Sequence, residues 1–237
     1  MKLRDFSTLT FDCYGTLIDW ESGIIEGLGP LLDRADGVDR DHALQAHAFH
    51  ESEQQALTPT RPYREVLAVV YRRLAEEWAV DASWDDCLAY GNSVERWPAF
   101  PDSAEALGYL REHYRLVILS NVDNASFTAS NRKLGVTFDA IYTAEDIGSF
   151  KPNPANFAYL TSRLQRLGVA KAEILHTAES LFHDHVPAQD HGLASCWIHR
   201  RHEVSGFGAT RDPGAVPEVA FRFTSMAELA DAHRAEN

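Results

Sequence analysis

Cysteine is scarce. Cys13, Cys87 and Cys196 lie far apart, are odd in number and form no CxxC pair. That argues against a disulfide framework and a thiolate zinc site, and it fits a reducing cytoplasm. Basic residues are also few, with 22 Lys and Arg against 35 Asp and Glu and a formal net charge of −13. A nucleic-acid or anionic-membrane partner would want a basic face, so neither is expected. No apolar run approaches the roughly 18 residues of a membrane span. No signal-peptide apolar segment follows Met1-Lys2-Leu3-Arg4-Asp5, so a cytoplasmic location is expected. Internal repeats and low-complexity tracts are absent.

What is present suits a substantial core: 237 residues, 45% of them hydrophobic, enough for one large or two small domains. Leu3 to Phe11 reads as a buried strand. No strand pattern follows until residue 115. Helical spacing instead covers Ile24 to Leu32 (with Gly37 as its stop), Asp41 to Leu57, Tyr63 to Val80 and Trp84 to Trp97. From Asp102 the pattern alternates. Strands are expected at Arg115–Leu119, Phe138–Tyr142, Glu173–His176, Ala194–His199 and Val219–Phe223, with helices between them. Such alternation implies an α/β, doubly wound parallel sheet of Rossmann-like type with right-handed crossovers. The expected division is a core of residues 1–19 and 98–237 and an inserted helical subdomain of residues 20–97. Arg201 to Val216, with its Gly and Pro, reads as the mobile loop.

Polar groups recur where these strands end: Asp12, Ser120-Asn121, Lys151 after a short loop, and Glu179 with Asp184. In a parallel sheet such ends fall along one edge, where open α/β sheets place their chemistry. A carboxylate there serves as a covalent nucleophile if a cation keeps it ionised in a dry site. Asp12 and Lys151 fit those two parts. Asp184 would hold Lys151, and Ser120 and Asn121 offer hydrogen-bond donors. Read singly, Lys151 is equally a solvated loop cation and Glu179 and Asp184 are equally helix caps. His176, His183, His185, His191, His199 and His202 match no zinc spacing and read as polar rim residues, with His176 packed at a strand end. Cys13 points to the opposite face of the strand from Asp12 and reads as packing.

Asp-x-Tyr-Gly-Thr-Leu from Asp12, Leu-Ser-Asn at 119–121, Lys-Pro at 151–152 and Glu-Ser-Leu-x-x-Asp from Glu179 come in that order. Together they resemble the haloacid dehalogenase superfamily over essentially the whole chain. The resemblance implies a Rossmann-like core with a mobile cap, Asp12 as nucleophile, Lys151 beside it, and Thr16 and Ser120 as positioners. Phosphatases of that superfamily carry a second Asp two residues after the nucleophile. Here Tyr14 stands there, a poor proton exchanger at an ordinary pKa near 10. The pattern therefore resembles the 2-haloacid dehalogenase subgroup. That implies attack on C2 of a small 2-halo carboxylic acid, an ester on Asp12, hydrolysis by water, and no cofactor.

Some positions depart from the subgroup. The helix Asp41 to Leu57 holds no cap arginine, Phe157 stands where the subgroup has Tyr, and Glu179-Ser180-Leu181 replaces its Ser-x-Asn. The first and last motifs resemble more closely an offshoot that opens the four-membered ring of L-azetidine-2-carboxylate. On that reading Glu179 would partner the ring nitrogen. Trp20 would wall the pocket or, equally, pack in the cap. A third reading takes Asp12, Glu179 and Asp184 as Mg²⁺ ligands of a phosphatase. A fourth takes the chain as a non-catalytic binding module. Dimerisation through a cap helix is implied by the family alone.

Overall fold

The architecture follows from where the apolar residues alternate. In β2 (Arg115–Ser120), Leu116 and Ile118 pack on one face and Val117 and Leu119 on the other, all buried. A strand covered on both faces belongs in a parallel sheet flanked by helices. The chain, described over residues 1–236 by a computed structural model, forms such a sheet. Its six parallel strands run in the order β3-β2-β1-β4-β5-β6. They are β1 (Thr8–Phe11), β2, β3 (Ala140–Thr143), β4 (Ile174–Ala178), β5 (Ala194–Ile198) and β6 (Phe221–Phe223). β1 lies at the centre, with Thr8 opposite Arg115 on one side and Ile174 on the other.

Between β1 and β2 come only helices: α1 (Trp20–Leu32), α2 (Arg40–Leu57), α3 (Tyr63–Glu77) and α4 (Trp84–Asn92), then α5 (Ser103–Leu110) against the sheet. Asp19 caps α1 by accepting the Ser22 N–H at 3.1 Å. Gly23 lets α1 close on Trp97, since a Cβ there would stand 2.2 Å from the indole. The chain enters and leaves this insertion along one short paired track. Asp19 N–H donates to Pro98 at 2.8 Å, and Phe100 N–H donates to Leu17 at 3.0 Å. After β2 follow α6 (Asn124–Leu134), α7 (Ala144–Ile147), α8 (Pro154–Arg166), α9 (Val186–Asp190) and α10 (Met226–Glu236).

Several boundaries differ from the sequence reading. The first strand begins at Thr8, because Leu3–Asp5 closes into a turn. The Asp5 carboxylate accepts the Lys2 N–H, and Glu236 accepts the N–H groups of Leu3 and Arg4. α1 stops at Leu32, well before Gly37, and α4 stops at Asn92 before a tight turn at Ser93–Arg96. α2 starts one residue earlier than expected, at Arg40. Residues 201–216 are tied to the insertion: Arg201 pairs with Glu21, which also accepts the Ala209 N–H at 3.1 Å, and Arg211 lies 3.7 Å from Glu53.

Candidate active site

Asp12 is the first residue past β1, and its N–H still follows the ladder to Thr177 at 3.1 Å. Gly15, at φ +91°, turns the chain sharply under Trp20, whose indole nitrogen is 3.0 Å from where a Cβ would stand. The turn brings Thr16 back to Asp12. Its hydroxyl donates to Asp12 Oδ2 at 2.9 Å and accepts the Glu179 N–H at 2.9 Å. On the other oxygen, Lys151 Nζ donates to Asp12 Oδ1 at 2.9 Å. The ammonium is only 1% exposed and its remaining protons go to Leu119 O at 3.0 Å and Asp184 Oδ1 at 2.6 Å. β4 pairs in register with β1 and sets Thr10 beside His176, whose ring bonds Thr10 Oγ1 at 2.8 Å and Asp184 Oδ1 at 2.9 Å. One connected chain thus runs Thr10, His176, Asp184, Lys151, Asp12, Thr16.

Two buried carboxylates share one ammonium, and their acidities part. Burial works against the charge on Asp184, yet Lys151 and the His176 hydrogen bond outweigh it and hold Asp184 well below the usual range. Asp12 goes the other way: burial raises it, Lys151 only partly offsets this, and the Asp184 charge raises it further. Burial alone would lower Lys151, but both carboxylates hold it charged. Asp12 is therefore the more basic, more nucleophilic carboxylate of the two, with a fixed cation against it.

The cavity over Asp12 is closed to about 20 Å³ of water-accessible space, room for about one water. Ser120 lines it with a buried hydroxyl that has no hydrogen-bond partner among the described residues. The Tyr14 ring forms a wall. Its hydroxyl bonds Ser130 Oγ at 2.8 Å and is pushed well above its ordinary value by burial, so it is no proton exchanger. A larger cavity of about 420 Å³ adjoins, sharing Gln55, Lys151 and His183 with the first.

Several expected roles change. Asn121 lines the cavity over Asp12, but its amide is not left wholly free for a substrate. It clamps the Lys151 backbone, accepting its N–H at 2.6 Å and donating to its carbonyl at 2.9 Å. Glu179 contributes its backbone N–H, while its side chain lines a separate cavity of about 350 Å³ with Trp20, Arg40 and Arg201. There burial and the nearby Glu21 charge push it up to about 8. Trp20 therefore walls that second cavity and not the one over Asp12. The set Asp12, Glu179 and Asp184 does not fit Mg²⁺. The Lys151 ammonium sits between the two aspartates, Glu179 faces elsewhere, and among the described residues no group of three such donors comes together. His183 and His185 are buried, not rim residues. His183 bonds Ser180 and His185 bonds the Ala178 carbonyl, and burial lowers both to about 4.

The insertion supplies residues the sequence did not single out. Glu51 and Gln55 on α2 and Tyr63 on α3 all line the cavity over Asp12. The Tyr63 hydroxyl donates to Glu51 Oε1 at 2.7 Å. The one sequence signal was polar residues on a helix that also buries Ala43, Leu44 and Ala48.

The haloacid dehalogenase-like hydrolase family matches residues 6–177, most of the chain. The chain belongs to this hydrolase family. Its fold is similar to that of L-2-haloacid dehalogenase from Xanthobacter autotrophicus, at TM-score 0.78 and 21% identity, with 98% of this chain and 100% of that one covered. The same enzyme with chloropropionic acid covalently bound aligns at TM-score 0.77 and 21% identity over the same shares. The HAD-hydrolase YfnB from Bacillus subtilis, bound to magnesium, aligns at TM-score 0.73 and 18% identity, covering 97% of this chain and 99% of that one. No curated protein sequence matches the chain. In this chain the sheet edge carrying Asp12 faces α2 and α3, whose Glu51, Gln55 and Tyr63 line the cavity over it.

Proposed function

We propose that this hydrolase displaces a substituent from C2 of a small 2-substituted carboxylic acid, with Asp12 as the nucleophile. The observation that carries the reading is the buried Asp12 carboxylate, held on one oxygen by Lys151 and on the other by Thr16, facing Tyr14 where a second acid would serve phosphate chemistry. The fold's similarity to an enzyme solved with chloropropionic acid covalently bound supports it.

In this reading an Asp12 oxygen attacks C2 from the side opposite the leaving group, which departs with the bonding electrons. Halide asks least of the site, since it leaves without a proton. Water then adds to the Asp12 carbonyl carbon and releases a 2-hydroxy acid, so one water oxygen stays in Asp12. Lys151 keeps the nucleophile ionised, Asp184 and Asn121 hold Lys151, and the Ser120 hydroxyl is free to take an oxygen of the substrate carboxylate. Residues 20–97 act as a cap over a core of residues 1–19 and 98–237. Its closure excludes water and orients the attack. The cavity over Asp12 is too small for such an acid in this conformation, so the cap must open to admit it, by way of the adjoining cavity.

The test is a single turnover of L-2-chloropropionate in H₂¹⁸O with EDTA, followed by mass spectrometry of the Asp12 peptide. Label in Asp12 is expected. Turnover of a phosphate ester alone, abolished by EDTA, would overturn the reading.

A further inference from the structure

A halide leaving group leaves one feature of this site without a task. Glu51, on α2, is 3% exposed and lines the same small cavity as Asp12, Lys151 and Ser120. Tyr63 donates to its Oε1, and among the described residues no donor reaches Oε2. The Tyr63 ring stands 6.2 Å from that of Tyr14 and 6.4 Å from that of Trp97, so the pair is set by packing against the nucleophile's own loop. An ionised carboxylate there would repel both the Asp12 charge and an incoming carboxylic acid. A protonated one has a hydrogen to give. We propose that Glu51 is a cap-borne proton donor to the leaving atom, which lets this site expel groups that depart as bases, nitrogen foremost, as well as halide.

This rests on the C2-substitution reading above. The atoms balance over the cycle. Asp12 forms its bond to C2 as the C2–N bond breaks. With the ring nitrogen bound as its free base, the Glu51 proton is delivered to nitrogen as the electron pair reaches it, so no amide anion forms, leaving a neutral amine, an Asp12 ester and a Glu51 carboxylate. Water cleaves the ester, and the proton it releases returns to Glu51. The loop position that would otherwise carry an acid holds Tyr14, whose hydroxyl is occupied by Ser130. The cap therefore supplies the exchangeable proton that the loop lacks. Burial raises the Glu51 carboxyl to about 7, which suits a group that must hold a proton and give it up near neutrality.

The experiment compares L-azetidine-2-carboxylate, whose ring nitrogen leaves, with L-2-chloropropionate, in the full chain and in Glu51→Gln and Glu51→Asp. Gln retains an acceptor for Tyr63 but has no proton to give. Expected is wild-type turnover of both acids with ¹⁸O label in Asp12. Glu51→Gln should lose about 100-fold or more on the azetidine acid, the usual span of general acid catalysis, and its effect on chloropropionate, whose halide leaves without a proton, should be at least about tenfold smaller. Glu51→Asp, which keeps an acid, should recover part of the loss. The proposal is overturned if Glu51→Gln leaves azetidine turnover unchanged, if Gln and Asp variants slow both acids alike, or if the wild type converts chloropropionate with label but never the azetidine acid. That last result would leave the C2-substitution reading standing. No Asp12 label with either acid would overturn both.

Discussion

Lys151 is the residue on which the site's electrostatics turn. Its ammonium is fully used by Asp12, Leu119 and Asp184, and it is the cation between the two buried carboxylates. Lys151→Met should therefore cost stability as well as turnover. Two uncompensated charges in a dry site predict a loss of about 3–5 kcal/mol, read by urea denaturation. Asp12→Asn removes a charge that burial already opposes. It should abolish turnover by about a thousandfold or more while leaving the melting temperature near that of the wild type. Ser120→Ala separates binding from folding. Its hydroxyl is buried and has no hydrogen-bond partner among the described residues, so removal should leave stability unchanged, while KM for a 2-substituted acid rises about tenfold. A clear fall in melting temperature would mean that the hydroxyl has a structural partner.

At the scale of elements, α2 carries a stability signature set by pH. Glu51 is raised from 4.5 to about 7 by burial, which Tyr63's hydrogen bond only partly offsets. The groups around it, Tyr63 and Tyr90, are themselves raised well above neutrality and stay uncharged in this range. The unfolded chain ionises this carboxyl first, so the stability it contributes is full below 4.5 and is lost as pH rises to about 7. Across that window the slope approaches about −1.4 kcal/mol per pH unit. Glu51→Gln should remove that slope, so the variant gains on the wild type between pH 5 and 7 and no further above it. Thermal melts at stepped pH would show this. A second element-level device is Glu21 on α1, which accepts from Arg201 and from the Ala209 N–H and so ties residues 201–216 to the insertion. Glu21→Ala should speed proteolysis within that segment without changing cleavage elsewhere.

For the whole molecule, acid should be more damaging than the carboxylates alone imply. His47, His183 and His185 are buried, and burial lowers them to about 3, 4 and 4 respectively. Each contributes stability that is present above 6.5 and lost as pH falls toward its folded value, because the unfolded chain takes up the proton first. Among the described residues neither His47 ring nitrogen has a hydrogen-bond partner, so His47→Leu should lessen the loss of stability between pH 6 and 4.

The chain's own order of residues determined the parallel sheet and four members of its site. Strand ends are one-dimensional landmarks. In a parallel sheet they must share an edge, which groups Asp12, Ser120, Lys151 and Asp184, while Thr16 joins them only through the motif's resemblance to the haloacid dehalogenase superfamily. The second acid's absence at Tyr14 was equally legible, because a spacing of two along one loop needs no fold to interpret. Tertiary structure decided which way side chains turn once a strand has ended, and which face of the insertion looks down on the sheet. Glu179 follows β4 just as Asp12 follows β1, yet its turn sends the carboxyl into another cavity. Asn121 turns its carbonyl and one N–H to the Lys151 backbone because the two loops meet there. Glu51, Gln55 and Tyr63 reach Asp12 only because α2 and α3 pack across the open edge. A polar residue on an amphipathic helix looks the same in sequence whether it faces water or a nucleophile, and only long-range burial of the apolar stripe settles which.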